Sequence, residues 1–162
     1  MTNRENRRVL VVDDEAFIRD LLVDFFDKLG FEVVTAADGN AGVEAFRQGH
    51  YSAVLVDLKM PGKSGIETLS DIRALDTKTP VIIMTGYPTI DTSIEALRLG
   101  AYDYIIKPFK LQDLRDIVDR AIREQELHAE IDTLRGRISD IEGQLREHRA
   151  ATSGRSREPE TY

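Results

Sequence analysis

The chain has no cysteine among its 162 residues. That excludes disulfides and thiolate metal sites and accords with a reducing compartment. No run approaches the roughly 18 consecutive apolar residues of a membrane-spanning helix. The N-terminal MTNRENRR lacks the apolar core of a secretory leader. The expectation is a cytoplasmic protein with no membrane insertion. Positive charge is also scarce: 22 Lys and Arg against 29 Asp and Glu leave a formal net charge of −7. A duplex-DNA reader needs a basic face to displace counterions, so no direct nucleic-acid binding is expected. What remains, with 41% hydrophobic residues, suits one globular domain plus a modest appendage.

Apolar runs of strand length recur at Val9–Val12, Phe31–Ala36, Ala53–Val56, Val81–Met84 and Tyr102–Ile106. Their consecutive, largely β-branched residues are those of strands buried on both faces of a parallel sheet. Segments with helical spacing lie between them, the first carried by Phe17, Leu21, Leu22, Phe25, Phe26 and Leu29. Further helices are predicted over about 39–48, 66–74, 90–99 and from 111 onward. Gly30, Gly49 and Gly100 follow last helical turns, where a positive φ is wanted. Strict β–α alternation predicts an α/β, doubly wound five-stranded parallel sheet with right-handed crossovers.

The last helical pattern continues past the point where the domain should end. Leu127, Ile131, Leu134, Ile138, Ile141 and Leu145 recur in alternating steps of four and three. That is a heptad, with Ile131 and Ile138 at a and Leu134 and Ile141 at d. In a parallel partner Glu130 then faces Arg135, and Arg137 faces Glu142, both pairs of opposite charge. Gly136 and Gly143 fall on the outermost position f. They cost about 1 kcal/mol each in helix propensity without opening the seam. The expected partner is a second copy in a parallel homodimer; the competing reading is a single amphipathic helix folded back on the domain. The expected organisation is an N-terminal tail over 1–7, a domain over 8–125, a coiled-coil extension over 126–149 and a disordered tail over 150–162.

Four of the five strands end in polar groups: the first in Asp13 and Asp14, the third in Asp57, the fourth in Thr85 and the fifth at Lys107. Ligands of open parallel sheets bind outside the carboxyl ends of the strands, near the reversal of strand order. Three carboxylates converging there would repel and raise one another's pKa unless a cation sits among them. An all-oxygen donor set favours a hard ion, Mg²⁺ above all. With Lys107 such a site can neutralise an incoming phosphoryl group. Taken singly, each residue has a plainer role: the Asp pair as a turn and helix cap, Thr85 as a strand end, Lys107 as a surface lysine. Their joint placement is what argues for chemistry.

The segments VLVVDDE, VLVDLKMPGKSG, VIIMTGY and AYDYIIKPF, in that order and spacing, resemble a response-regulator receiver domain over about residues 7–125. The resemblance implies a (βα)5 flavodoxin-like fold with strand order 2-1-3-4-5 and an extended C-terminal helix. It implies Asp57 as phospho-acceptor, with Asp14 binding Mg²⁺ directly, Asp13 through water, and Asp57 and the Lys59 backbone carbonyl completing the set. Thr85 would bond the phosphoryl oxygens. Lys107, preceding a cis bond to Pro108, would pair with their charge. Tyr104 occupies the aromatic switch position, against a competing role in core packing. The donor would be a sensor histidine kinase or phosphotransfer protein. The output would be a changed face made by the fourth helix, fifth strand and fifth helix. The protein is then a signalling switch that catalyses only its own phosphorylation and dephosphorylation. Lys59 and Tyr87 flank the acceptor and would influence the phosphoryl lifetime, Tyr87 by shielding it.

A P-loop reading of Gly62-Lys63-Ser64 needs a glycine at the position held by Asp57 and a glycine-rich cradle where Leu58, Lys59 and Met60 stand. It is rejected, and Gly62 and Gly65 are read as turn residues beside a solvated Lys63. A flavin site would need a Ser, Thr and Gly loop where Asp13, Asp14 and Glu15 stand. Three outputs stay open: dimerisation or docking of an unknown downstream protein, a phosphate sink or assembly module, and the receiver and linker of a larger transcriptional activator.

Overall fold

Each strand-length apolar run forms a strand: β1 (Arg8–Val12), β2 (Glu32–Ala36), β3 (Ala53–Asp57), β4 (Val81–Thr85) and β5 (Asp103–Ile106). All pair in parallel, in the order β2-β1-β3-β4-β5. Between and after them lie α1 (Ala16–Lys28), α2 (Gly39–Arg47), α3 (Gly65–Leu75), α4 (Ile90–Arg98) and α5 (Leu111–Gly154). This computed structural model describes residues 7–154.

The period-two geometry of a strand sends alternate residues to opposite faces, and the two cores follow it. Val9, Val11, Leu55, Ile82 and Met84 pack with Leu22 and Phe26 of α1 and Leu114, Val118 and Ile122 of α5. Leu10, Val12, Val54, Val56 and Ile83 pack with Phe46 of α2, Leu69 and Ile72 of α3 and Ala96 of α4. β3 and β4 are buried along their whole lengths, which is why they read as unbroken apolar runs. Side-chain caps start three helices: Asp38 accepts from the Ala41 N–H, Ser64 from the Glu67 N–H, and Thr89 forms a reciprocal box with Thr92. Among the described residues no helix is long and apolar enough to cross a membrane.

Several expectations need correction. Gly30 and Gly100 adopt the expected positive φ, at 88° and 91°, but Gly49 does not. Gly62 does turn with φ 76°, whereas Gly65 serves proximity. It opens α3, and a Cβ there would stand 2.3 Å from the Asp57 carbonyl oxygen. Lys63 is not free in solvent; it is half-buried and its ammonium pairs with Asp71 of α3. The expected N-terminal tail reaches one residue too far, since the Arg7 carbonyl accepts from the Glu32 N–H. The expected disordered tail begins too early, since residues 150–154 are helical. The expectations for 1–6 and 155–162 lie outside the described residues.

The chain divides into two units, one ending at Gln125 and one starting at Glu126. Within the second, Leu127, Ile131, Leu134, Ile138, Ile141 and Leu145 are each 44–58% exposed. A Cβ added at Gly136 or Gly143 would meet nothing within 4 Å.

Candidate functional site

The reversal of strand order falls between β1 and β3, and the site forms at their carboxyl ends. Asp13 follows β1 and its N–H still donates to Ala36 of β2 at 3.1 Å. Asp57 is the last residue of β3. Carboxylate oxygens of Asp13, Asp14 and Asp57 all lie within 4.8 Å of one another. Asp13 and Asp57 are buried and Asp14 is exposed. Lys107, after β5, donates from Nζ to Asp13 Oδ2 at 2.8 Å and lies 3.4 Å from Asp57 Oδ1. The Lys107 N–H donates to the Thr85 carbonyl at 2.7 Å, tying the end of β5 to β4. The Lys107–Pro108 bond is cis.

Burial pushes the Asp57 carboxyl up, to about 7, helped by the Asp13 charge and a contact with Asp14, against the pull of Lys107. For Lys107, burial opposes the ammonium. The hydrogen bond to Asp13 and the charges of Asp13, Asp57 and Glu15 outweigh it and raise its pKa. This donor set suits Mg²⁺: a tight all-oxygen cluster, partly open to solvent, in which burial and a neighbouring carboxylate hold a carboxyl back from ionising and an added cation would favour its charged form.

The raised Asp57 makes a prediction for the metal-free protein. Ionising a carboxyl whose folded pKa exceeds its ordinary value of 3.8 destabilises the fold. Its contribution is intact below about pH 4 and lost as pH rises through about 7. Asp57→Asn removes that loss. In chelator the variant should melt above wild type at pH 8, by roughly 2 kcal/mol or several degrees once the forfeited Lys107 contact is discounted. The gap should shrink towards pH 5. Thermal melts across that range check it, and a gap independent of pH would refute it.

Thr85 is buried, and its hydroxyl oxygen accepts from the Tyr87 N–H at 3.0 Å. Tyr104 lies in β5 opposite Ile83 and packs against the second core, which favours the plainer reading of it as far as packing goes. Its hydroxyl, however, is buried with no hydrogen-bond partner among the described residues. Such a group is costly where it stands and gains by moving to a partner. Lys59 Nζ sits 4.4 Å from the centre of the Tyr87 ring, so the two flanking residues touch each other. They line a groove of about 640 Å³ with Ile66, Glu67, Thr92 and Glu95.

Sequence reasoning missed two members of this site. The Glu15 N–H donates to Asp13 Oδ1 at 2.9 Å, and its carboxylate lies 3.7 Å from Lys107. Arg19, in the second turn of α1, donates to the Asp13 carbonyl at 2.8 Å. The run Asp13-Asp14-Glu15 could have flagged the first. Arg19 becomes visible only once α1 is known to begin at Ala16.

Residues 9–119 match the family model of the response regulator receiver domain. Regulatory protein AtoC of Escherichia coli (strain K12) is 43% identical over 132 residues, 82% of this chain but 29% of AtoC. Sporulation initiation phosphotransferase F of Bacillus subtilis (strain 168) is 37% identical over 115 residues, 71% of this chain and 93% of that protein. The crystal structure of response regulator protein TrrA from Thermotoga maritima, in complex with Mg(2+)-BeF, superposes with a TM-score of 0.66 at 33% identity. The match covers 71% of this chain and 98% of TrrA. The chain spans less than two thirds of the length of several curated relatives, AtoC and the FixJ protein of Bradyrhizobium diazoefficiens among them.

Proposed function

From the premise that this chain belongs to the response regulator receiver domain family of two-component systems, we propose that Asp57 accepts a phosphoryl group from a histidine kinase or phosphotransfer protein and thereby switches the protein's surface. The observation that carries this reading is the single lysine bridging two buried aspartates at the strand-order reversal, with a third carboxylate beside them.

An Asp57 carboxylate oxygen attacks the donor phosphorus. The new P–O bond forms as the P–N bond to the kinase imidazole breaks, and the departing nitrogen keeps the electron pair. Lys107 faces the developing charge on the phosphoryl oxygens from a position already held by Asp13. Asp13, Asp14, Asp57 and the Lys59 carbonyl would hold Mg²⁺, which when bound supplies positive charge to the same oxygens. The Thr85 hydroxyl turns from the Tyr87 N–H towards the phosphoryl group. Tyr104 follows into the vacated space, where its hydroxyl can find a partner.

The surface so altered carries Ile90, Ile94 and Leu97 of α4 and Ile106 of β5, all exposed. The Asp103–Arg120 pair, at 3.2 Å, links β5 to α5. Three large aliphatic residues at helical spacing in solvent support its use as a docking face. In this reading the residues from Glu126 dimerise in parallel through Leu127, Ile131, Leu134, Ile138, Ile141 and Leu145. A second reading, favoured by the likeness to AtoC and to the transcriptional regulatory protein FixJ, sets this receiver and its coil within a larger transcriptional regulator.

The test is direct. Incubated with Mg²⁺ and a small acyl-phosphate donor, the protein should gain one phosphoryl group by intact mass, and Asp57→Asn should gain none. Equal labelling of the asparagine variant would sink the assignment.

A further inference from the structure

Asp13 is fixed through all its polar atoms: its N–H by Ala36, Oδ1 by the Glu15 N–H, Oδ2 by Lys107 and its carbonyl by Arg19. Asp14 is exposed, beyond the end of β1 and before the first turn of α1. Its direction therefore depends on the peptide that joins it to Asp13. That peptide is planar, so orienting the Asp13 carbonyl also fixes the Asp14 N–H and Cα, the point from which its carboxylate projects. The group orienting that carbonyl is the Arg19 guanidinium, 2.8 Å away and half-buried on α1.

We propose that Arg19 is the positioning residue of the cation site, aiming Asp14 by locking the Asp13–Asp14 peptide. This rests on the reading of Asp13 and Asp14 as Mg²⁺ ligands. It gives α1 a part in the chemistry beyond packing Leu22 and Phe26 into the core. Partners of this kind, one step removed from the metal, commonly change its affinity by about 10–100-fold.

Two effects of Arg19 pull in opposite directions, which makes the sign informative. As a nearby cation it repels Mg²⁺, so if charge alone mattered its removal would tighten binding. As a positioning group its removal frees Asp14 and weakens binding. The geometry favours the second, because the guanidinium is spent on a carbonyl and not on a carboxylate.

The experiment is a calorimetric Mg²⁺ titration of wild type, Arg19→Ala, Arg19→Lys, Asp14→Asn and the Arg19→Ala, Asp14→Asn double variant. Arg19→Ala should weaken Mg²⁺ about tenfold. Arg19→Lys, which keeps a donor of similar reach, should recover most of that. In the Asp14→Asn background Arg19→Ala should add little, since the group it aims is gone. Unchanged or tighter binding in Arg19→Ala, or a full additional loss in the double variant, overturns the proposal. If Asp14→Asn itself leaves Mg²⁺ affinity at the wild-type value, the underlying ligand assignment fails instead.

Discussion

Lys107→Ala should slow phosphorylation of Asp57 by about 10²–10³-fold, the cost of deleting one preorganised charge or donor aimed at the reacting oxygens. The Lys107 side chain is only 14% exposed and stands 2.8 Å from one buried aspartate and 3.4 Å from the other. Its removal acts twice. The phosphoryl oxygens lose a fixed counter-charge where water cannot readily replace it. The metal-free Asp57 loses the group that now draws its pKa down, so the carboxylate becomes scarcer near neutral pH. The rate profile of the variant should consequently shift to higher pH as well as fall. Lys107→Arg should recover little, because a planar fork does not fit where a compact ammonium bridges two carboxylates. The fall is measured as the initial rate of intact-mass gain at saturating Mg²⁺, and the shift as the same rate followed against pH at limiting Mg²⁺. Labelling at the wild-type rate would remove Lys107 from the mechanism.

Replacing Ile138 and Ile141 together by Asp should convert a dimer into a monomer in sedimentation. Each seam residue is about half exposed on the single helix, so pairing hides roughly 1 kcal/mol of apolar surface per side chain. Six such residues per chain give a gross gain of roughly 10 kcal/mol in the pair, against an association cost of about 4–15 kcal/mol. A dimer with so thin a margin cannot tolerate charges on adjacent a and d layers. They would remove four aliphatic side chains from two layers and face like charges across the seam. The same two aspartates at Gly136 and Gly143, where an added Cβ meets nothing, should leave the dimer intact. A wild-type protein that stays monomeric at high concentration, phosphorylated or not, would end the dimer reading.

Much of the site was legible because strand ends are readable from local chemistry. A buried parallel strand is an unbroken apolar run, so the first polar residue after it marks the carboxyl edge. Asp13, Asp57, Thr85 and Lys107 all fall on that edge. The P-loop look-alike also resolved locally, since Asp57 stands where that loop needs glycine. The failures share a cause. Lys63 was expected in solvent but pairs with Asp71, eight residues away on α3. Gly65 was expected as a turn residue but is small because the end of β3 passes 2.3 Å from where its Cβ would be. Arg19 drew no notice because a lone arginine on an amphipathic helix looks like any solvated charge. In each case the partner lies only six or eight residues away, but across an element boundary, and residue type does not show how the intervening loop turns back to make the contact.

The sequence by itself therefore determined the alternation of strands and helices, the acidic and basic residues at the sheet edge, and the apolar repeat from Leu127 to Leu145. These rest on periodicity and on residue type, which are local. Only the tertiary structure decided how those residues bear on one another. Packing the sheet in the order β2-β1-β3-β4-β5 places β1 beside β3, and with them Asp13 beside Asp57. The same packing brings Lys107 across from β5 to hold both and buries Asp57 far enough to raise its pKa to about 7. Burial and electrostatic coupling depend on distance through space, and that distance exists only after the chain has closed its core.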